Sequence, residues 1–578
     1  MTNYKPAADY SSIQSLSEIW PLVAKRCGNI TALHDPHAKP AVILTYEQLY
    51  QQIQQVAAGL QACGVKPEAK VALFADNSPR WFIADQGIIT AGAADVVRSS
   101  QADREELLYI LSDSDSTALV VENLKTLKKL GSHLDDLPIQ LTILLSDEPA
   151  NLDGPIETLN FQQLLDIGAN SPLRPVAQTR QTLATLIYTS GTTGKPKGVM
   201  LSHGNLLHQV TALEAILQPQ PGDRVLSILP SWHSYERAAE YFLLSQGCTQ
   251  IYTDIRSFKN DLKRFKPKYM VGVPRLWESI YEGVHKQFRE QPPSQQRLVK
   301  FFLGISERYI LARRVAQGLS LDSLNPSATG RFLAKIQAAI LSPLHLLGDR
   351  LVYQKIRDGL GGNLKTIISG GGSLAMHLDD FYEIIGINLL VGYGLTETSP
   401  VTNARSPRHN LRGSAGKPIP GTEIRISDPD TRQTLPAGQR GLVLIRGPQV
   451  MQGYYKKPEA TAEAIGPEGW FDSGDLGWVT DQGDLVLTGR AKDTIVLTNG
   501  ENIEPQAIED ACLRSPYIDQ IVLVGQDQRS LGALIVPNLE ALQTWAQARE
   551  LDLQLPQPKA SLEQVKRSDL YSQPVRDL

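Results

Sequence analysis

Cysteine is scarce in this chain: four among 578 residues, at Cys27, Cys63, Cys248 and Cys512. None belongs to a Cys-x-x-Cys pair and no histidine-rich tract accompanies them. That speaks against a disulfide framework or a zinc site and suits a reducing cytoplasm. Neither sign of charge is in excess: 57 Lys and Arg stand against 61 Asp and Glu, for a net charge of −4. Nucleic acid is therefore not an expected partner. No uninterrupted apolar run has membrane-spanning length. The opening MTNYKPAADYSSIQS lacks the basic and apolar regions of a secretory signal. Any membrane contact is expected to be peripheral. Internal repeats and low-complexity tracts are also missing.

What is present is ordinary globular material in quantity. At 63.6 kDa the chain exceeds what one hydrophobic core serves, so two or more domains are expected. Between residues 45 and 64, Leu49, Ile53, Val56 and Leu60 keep helical spacing, and Gly64 ends the helix. KVALFA (70–75) reads as a buried strand and SPRWFIADQGIITAGA as the helix after it. The alternation recurs at STALVVE (116–122), QLTILLS (140–146), DRVLSILP (223–230) and LKTIISGG (364–371). Strands apolar on both faces and separated by helices predict a parallel α/β sheet. After about residue 412, short strands with turn signals at 428–430 and 436–438 predict a small antiparallel or barrel-like section reaching about 488. PQAIEDACLRS, DQIVLVGQ and LGALIVPN then read as helix, strand and strand. The expectation is an α/β protein with a large N-terminal domain of stacked α/β sheets (1–488). A small α+β C-terminal domain (489–578), which looks truncated, follows it.

One run stands out. YTSGTTGKPKGVMLSHGNL (188–206) packs hydroxyls, glycines and two lysines directly behind the apolar LATLIY (183–188). A loop after a buried strand offers backbone N–H groups and hydroxyls to a polyanion. Glycines let the backbone approach phosphates without a Cβ clash, and lysine adds a mobile point charge. The Walker A spacing fails, because Thr189 stands where that loop needs its first Gly and Pro196 where it needs Ser or Thr. Proline also removes a donor and disfavours a helix starting there. Residues 188–199 are thus a phosphate loop of another type than that of P-loop NTPases; a polar surface turn is the bland alternative.

This segment resembles the nucleotide-binding signature of the adenylate-forming enzymes, which include acyl-CoA synthetases, luciferases and peptide-synthetase adenylation domains. Further segments match in order. GGGS (370–373) and YGLTET (393–398) are similar to the adenine- and phosphate-contacting segments, and WFDSGDLG (470–477) to the ribose-binding segment. GRAKDTIVLTNGENIEP (489–505) resembles the hinge and the start of a mobile C-terminal domain. LPSWHSYERAAEY (229–241), VGVPRLWESIYEGV (271–284) and a long insert at about 286–355 resemble the long-chain fatty acid branch. HDPHAKPAVILTYEQLY and LFADNSPRWFIADQG resemble its cyanobacterial and plastid acyl–acyl carrier protein synthetases.

The resemblance implies Mg-ATP-dependent ligation of a long-chain fatty acid to a thiol, on acyl carrier protein or CoA, through an acyl adenylate. AMP and pyrophosphate are released. Two anions must meet, so such a site needs cations and aligned donors rather than a protein nucleophile. No general base is needed, because the carboxylate is already ionised. Carried over residue by residue, Thr189, Ser190, Thr192, Thr193 and Lys197, with Gly191 and Gly194, would hold the β- and γ-phosphates. Lys195 either joins them or stays solvated. Glu397 and Thr189 would hold Mg2+, unless Glu397 is only an acidic charge at a helix start. Gly371, Gly372, Ser373, Tyr393, Gly394 and Thr396 would flank adenine and the α-phosphate. Asp475 would accept the ribose hydroxyls, although DSGD alone also reads as a plain turn. Arg490 would hold ribose or phosphate, and Lys492 marks the hinge. His233 either lines the acyl channel and steers the carboxylate or is structural.

Two surface readings remain open on the sequence. Arg256, Lys259, Lys263, Arg264, Lys266 and Lys268 either steer an acidic carrier protein or the phosphates of CoA, or form a solvated helical face. Residues 297–314 mix Phe301, Phe302, Leu303 and Ile310 with cations, which suits an interfacial helix or the core of the insert. There is one departure from the family pattern. Its closing T-x-x-G-K-x-x-R segment, whose lysine reaches the forming acyl phosphate, is not found, and Lys559 and Lys566 lie in other contexts. That leaves a second expectation, a nucleotide- and fatty-acid-binding homologue with impaired catalysis.

Overall fold

Strands buried on both faces have one good solution, a parallel sheet covered on both sides. In this computed structural model, which describes residues 9–150, 156–189, 195–498, 501–547 and 549–551, the unit up to Leu487 contains that solution twice. In an eight-stranded sheet, Leu183–Thr189, Ala94–Arg98, Lys70–Phe74, Ala118–Val121, Leu141–Leu144 and Glu157–Asn160 are parallel neighbours. Beyond Leu183–Thr189 the sheet turns antiparallel through Lys197–Ser202 and Gly453–Tyr454. In a nine-stranded sheet the parallel centre runs from Asn388–Gly394 through Thr366–Ser369, Tyr269–Gly272, Arg224–Ser227 and Thr249–Tyr252 to Thr31–Asp35. Both of its edges are antiparallel.

Local sequence sets the helix ends. Thr45 and Gln48 form a reciprocal capping box at the start of Tyr46–Ala62. That helix stops before Gly64, whose φ of +91° suits glycine best. Pro79 opens Pro79–Thr90, and the Ser78 hydroxyl accepts the Trp81 N–H at 3.1 Å. The section after residue 412 takes the antiparallel one of its two expected forms. Glu423–Ser427, Gly441–Arg446, Phe471–Val479 and Leu485–Arg490 make an open four-stranded sheet whose first and last strands lie at opposite edges. Four strands are too few to close around a filled core.

The second unit, from Thr488, holds a short hairpin (Ile495–Val496 with Asn502–Ile503), a helix (Pro505–Cys512), a hairpin (Ile518–Val524 with Gly532–Pro537) and a helix (Leu539–Gln547). The insert in the first unit is helical. Pro293–Gln317 and Ala328–Gly348 pack along each other. Arg313 and Arg314 tie the first of them to Glu383 and Asp380 on Met376–Ile384, at 2.5–2.7 Å.

The two sheets are locked by one buried cation. Arg237, on Ser234–Ser245, has no exposed surface. Its guanidinium pairs with Asp85 on Pro79–Thr90 and Asp95 on Ala94–Arg98, and donates at 2.8 Å to Thr185 Oγ1 and to the Tyr241 hydroxyl. Burial alone would lower its pKa; Asp85 and Asp95 more than offset that and hold it above its ordinary value. Arg237→Met leaves two buried carboxylates without their counter-charge and should cost about 3–5 kcal/mol. Urea unfolding measures this, and a loss below about 1 kcal/mol would show that the network is not what joins the sheets.

Candidate active site

In open α/β sheets ligands bind beyond the carboxyl ends of the strands, and four of the expected segments lie there. Thr189 ends Leu183–Thr189, residues 370–373 follow Thr366–Ser369, and Tyr393 and Gly394 close Asn388–Gly394. His233 comes shortly after Arg224–Ser227. Thr189 faces Lys197 across the antiparallel pair that flanks the loop. Ser190, Gly191, Thr192, Thr193 and Gly194 fall outside the described residues. Lys195 is exposed, with Nζ 5.4 Å from the centre of the Tyr109 ring.

A residue that sequence reasoning missed stitches the loop to Glu397. Tyr454 pairs with Val199 along the strand that carries Lys197, and Lys197 Nζ sits 5.0 Å over its ring. The Tyr454 hydroxyl donates to Glu397 Oε1 at 2.9 Å, and the Met451 N–H donates to the Glu397 carbonyl at 2.8 Å. Burial, then the charge of Glu397, raises the Tyr454 pKa, so the phenol keeps the proton it donates. Thr189, Lys197 and Glu397 therefore share one neighbourhood. Only YY in MQGYYKKP hinted at this, a signal too common to read. Glu397 also stands in the first turn of the short helix Thr396–Thr398, so its position at a helix start is real as well.

The second knot joins the nucleotide-base segment to the ribose segment. Tyr393 donates its hydroxyl to Asp475 Oδ2 at 2.5 Å, with Asp475 itself buried on Phe471–Val479. The plain-turn alternative for DSGD gives way to a strand. Gly371, at φ +76°, Gly372 and Ser373 are exposed at the end of their strand. At Gly394 any side chain would collide, because an added Cβ would lie 1.7 Å from the Pro400 carbonyl oxygen. Thr396 is buried, with Oγ1 3.4 Å from Ser234 Oγ.

His233 caps the helix that follows it, Nδ1 accepting the Tyr235 N–H at 3.2 Å. Surrounding protein, then the Arg98 guanidinium, lowers its pKa, so the exposed ring is neutral at pH 7. It thus has a structural role whatever else it does. Arg490 and Lys492 belong to the second unit, where both are exposed and the Asp493 N–H donates to the Arg490 carbonyl at 3.1 Å.

Comparison with known proteins places this geometry. Residues 22–455 match the family model described as AMP-binding enzyme, and residues 492–557 match the AMP-binding enzyme C-terminal domain. The chloroplastic long-chain-fatty-acid–[acyl-carrier-protein] ligase AEE15 of Arabidopsis thaliana is 44% identical over 564 residues, covering 92% of this chain and 77% of its own length. The long-chain-fatty-acid–CoA ligase FadD15 of Mycobacterium tuberculosis is 32% identical over 511 residues, covering 87% and 79%. Among solved structures, the anthranilate CoA ligase AuaEII in complex with anthranoyl-AMP superposes with a TM-score of 0.68 at 20% identity, covering 96% of this chain and 90% of its own.

The close approach at Gly394 is directly testable. Gly394→Ala must push the Pro400 backbone away from Tyr393 and Thr396, and should destabilise the fold by about 1–3 kcal/mol. Thermal unfolding reads this; an unchanged midpoint would mean that the turn has slack the geometry does not show.

Proposed function

Because the chain belongs to the AMP-binding enzyme family, we propose that it joins a long-chain fatty acid to a thiol at the expense of ATP. The observation that carries this reading is the pair of contacts at the strand ends, Tyr454 to Glu397 and Tyr393 to Asp475. They tie together segments to which this reading gives phosphate, metal and ribose binding. A fatty carboxylate oxygen attacks the α-phosphorus of ATP, the bond to pyrophosphate breaks, and the acyl adenylate forms. The thiol then displaces AMP. Lys197 and the hydroxyl of Thr189, with the loop between them, hold the β- and γ-phosphates. Asp475 accepts the ribose hydroxyls, and Gly371, Gly372, Ser373, Gly394 and Thr396 line adenine and the α-phosphate. Neutral His233 orients the acyl carboxylate. Arg490 and the hinge at Lys492 belong to the mobile C-terminal domain, 489–578.

Magnesium fits the donors present. The Glu397 carboxylate and the Thr189 hydroxyl are hard oxygen ligands, few enough that substrate phosphates complete the shell. When bound, the ion supplies charge neutralisation on the phosphates. The hydroxyl of Tyr454 fixes the Glu397 carboxyl in position for it.

Acyl carrier protein is the acceptor we favour, because the 44% identical relative is named for it. The helix Phe258–Phe265 supports this, since it buries Phe258, Leu262 and Phe265 and exposes Lys259, Lys263 and Arg264. Lys268 is instead engaged with Asp223 at 2.6 Å. A long-chain fatty acid partitions into bilayers, so peripheral association with a membrane is part of the same reading.

Two measurements decide. Pyrophosphate release with ATP, Mg2+ and palmitate should be robust, and Glu397→Gln should lower it by about 10²-fold. Tight binding of ATP and palmitate with no pyrophosphate would instead establish a nucleotide- and fatty-acid-binding homologue with impaired catalysis. For the acceptor, Lys259→Glu with Lys263→Glu should raise KM for acyl carrier protein by about tenfold and leave CoA untouched. Equal effects on both, or none, would return that helix to a solvated face.

A further inference from the structure

Helix Ala328–Gly348 is built the wrong way round for a helix that faces water. The side turned to its partner helix is mostly small: Ala334 and Gly348 are buried, and Ala338 and Ser342 are half-buried, with half-buried Leu341 the large exception. A Cβ on Gly348 would come within 2.9 Å of Phe302. His345, on the same side, hydrogen-bonds Ser306 at 2.9 Å and stacks on Tyr309. The other large apolar residues point outward instead. Phe332, Leu333, Ile336, Ile340, Leu344, Leu346 and Leu347 are all exposed, Leu333 by 64% and Ile340 by 68%. At 100° per residue these seven fall within an arc of about 160°. Single exposed apolar side chains are ordinary, but a continuous stripe of this length marks a surface that meets something.

Charge says what that something is. No Asp or Glu occurs between Asp322 and Asp349. Exposed Arg331 and Lys335 are the only Lys or Arg in that interval and leave the helix net positive. Two copies of this chain meeting on this face about a twofold axis would bring like-charged rims together. An apolar stripe with a cationic rim complements anionic headgroups lying over acyl chains. Among the described residues no helix is long and apolar enough to cross a membrane, so the contact lies along the surface. On the sequence, residues 297–314 suit an interfacial helix or the core of the insert; Phe302 and Ile310 are core there.

We infer that the outer face of Ala328–Gly348 is a docking surface for an anionic lipid bilayer. The inference rests on the ligase reading only for what the bilayer supplies, a dissolved fatty acid. The test is flotation of the full chain with vesicles of phosphatidylcholine and phosphatidylglycerol, against vesicles of phosphatidylcholine alone. The chain should float with the anionic vesicles, less so as salt is raised. Phe332→Glu with Ile340→Glu should weaken this by about tenfold or more without moving the thermal midpoint. Failure of the unchanged chain to float, or equal flotation of the variant, overturns the inference. So does sedimentation showing a dimer that the same substitutions dissociate, which would assign the face to a second copy. Pyrophosphate release from detergent-dispersed fatty acid should be the same in both proteins. Its loss in both would count against the ligase reading and leave the docking surface standing.

Discussion

A guanidinium sealed from water must be paired on every side, and that constraint organises this protein. From the helix Ser234–Ser245 of one sheet layer, Arg237 reaches a helix and two strands of the other, one of which ends in Thr189. A buried ionic cluster of this kind adds little net stability compared with apolar packing, but it tolerates few alternative arrangements. Here the tolerated one sets the register between Ser234–Ser245, whose first turn carries Ser234 beside Thr396, and Leu183–Thr189, which ends at the loop.

From that frame the candidate site follows by short steps. Parallel strands deliver their carboxyl ends to a common region. Glycine at 394 lets Tyr393 and Thr396 crowd against the Pro400 backbone. Two tyrosine hydroxyls then orient the two carboxylates of the site, Tyr454 on Glu397 and Tyr393 on Asp475. A phenol is a good partner in this role. It donates a hydrogen bond without adding a charge of its own. Chemistry that joins two anions leans on such placement more than on any reactive side chain.

The helical insert answers a different demand. Its inner seam uses alanine, serine and glycine so that two long helices approach closely, and Arg313 and Arg314 anchor it to half-buried Glu383 and Asp380. Most of the large apolar residues are left for the outside. A ligase acting on a bilayer-soluble substrate gains from such a face, since it shortens the path between reservoir and site.

Periodicity and punctuation were enough to read the parallel strands, the helix from Tyr46 to Ala62, and the change of texture after residue 412. These depend on contacts a few residues apart, which one segment records by itself. The loop at 188–199, the glycines at 371, 372 and 394, and Asp475 stood out as candidates because the chemistry expected of them requires particular residue types in order. The roles of Tyr454, Arg237 and the outer face of Ala328–Gly348 were not. A tyrosine, an arginine in an amphipathic run and a leucine-rich helix look alike in many contexts. Only packing decides whether the tyrosine meets a carboxylate, whether the arginine is sealed, and which side of the helix is left open. The sequence by itself determined which segments are helix or strand and which are candidates for phosphate chemistry. The tertiary structure alone decided which groups from distant segments touch, because burial and pairing depend on neighbours that lie from 57 to 152 residues away along the chain.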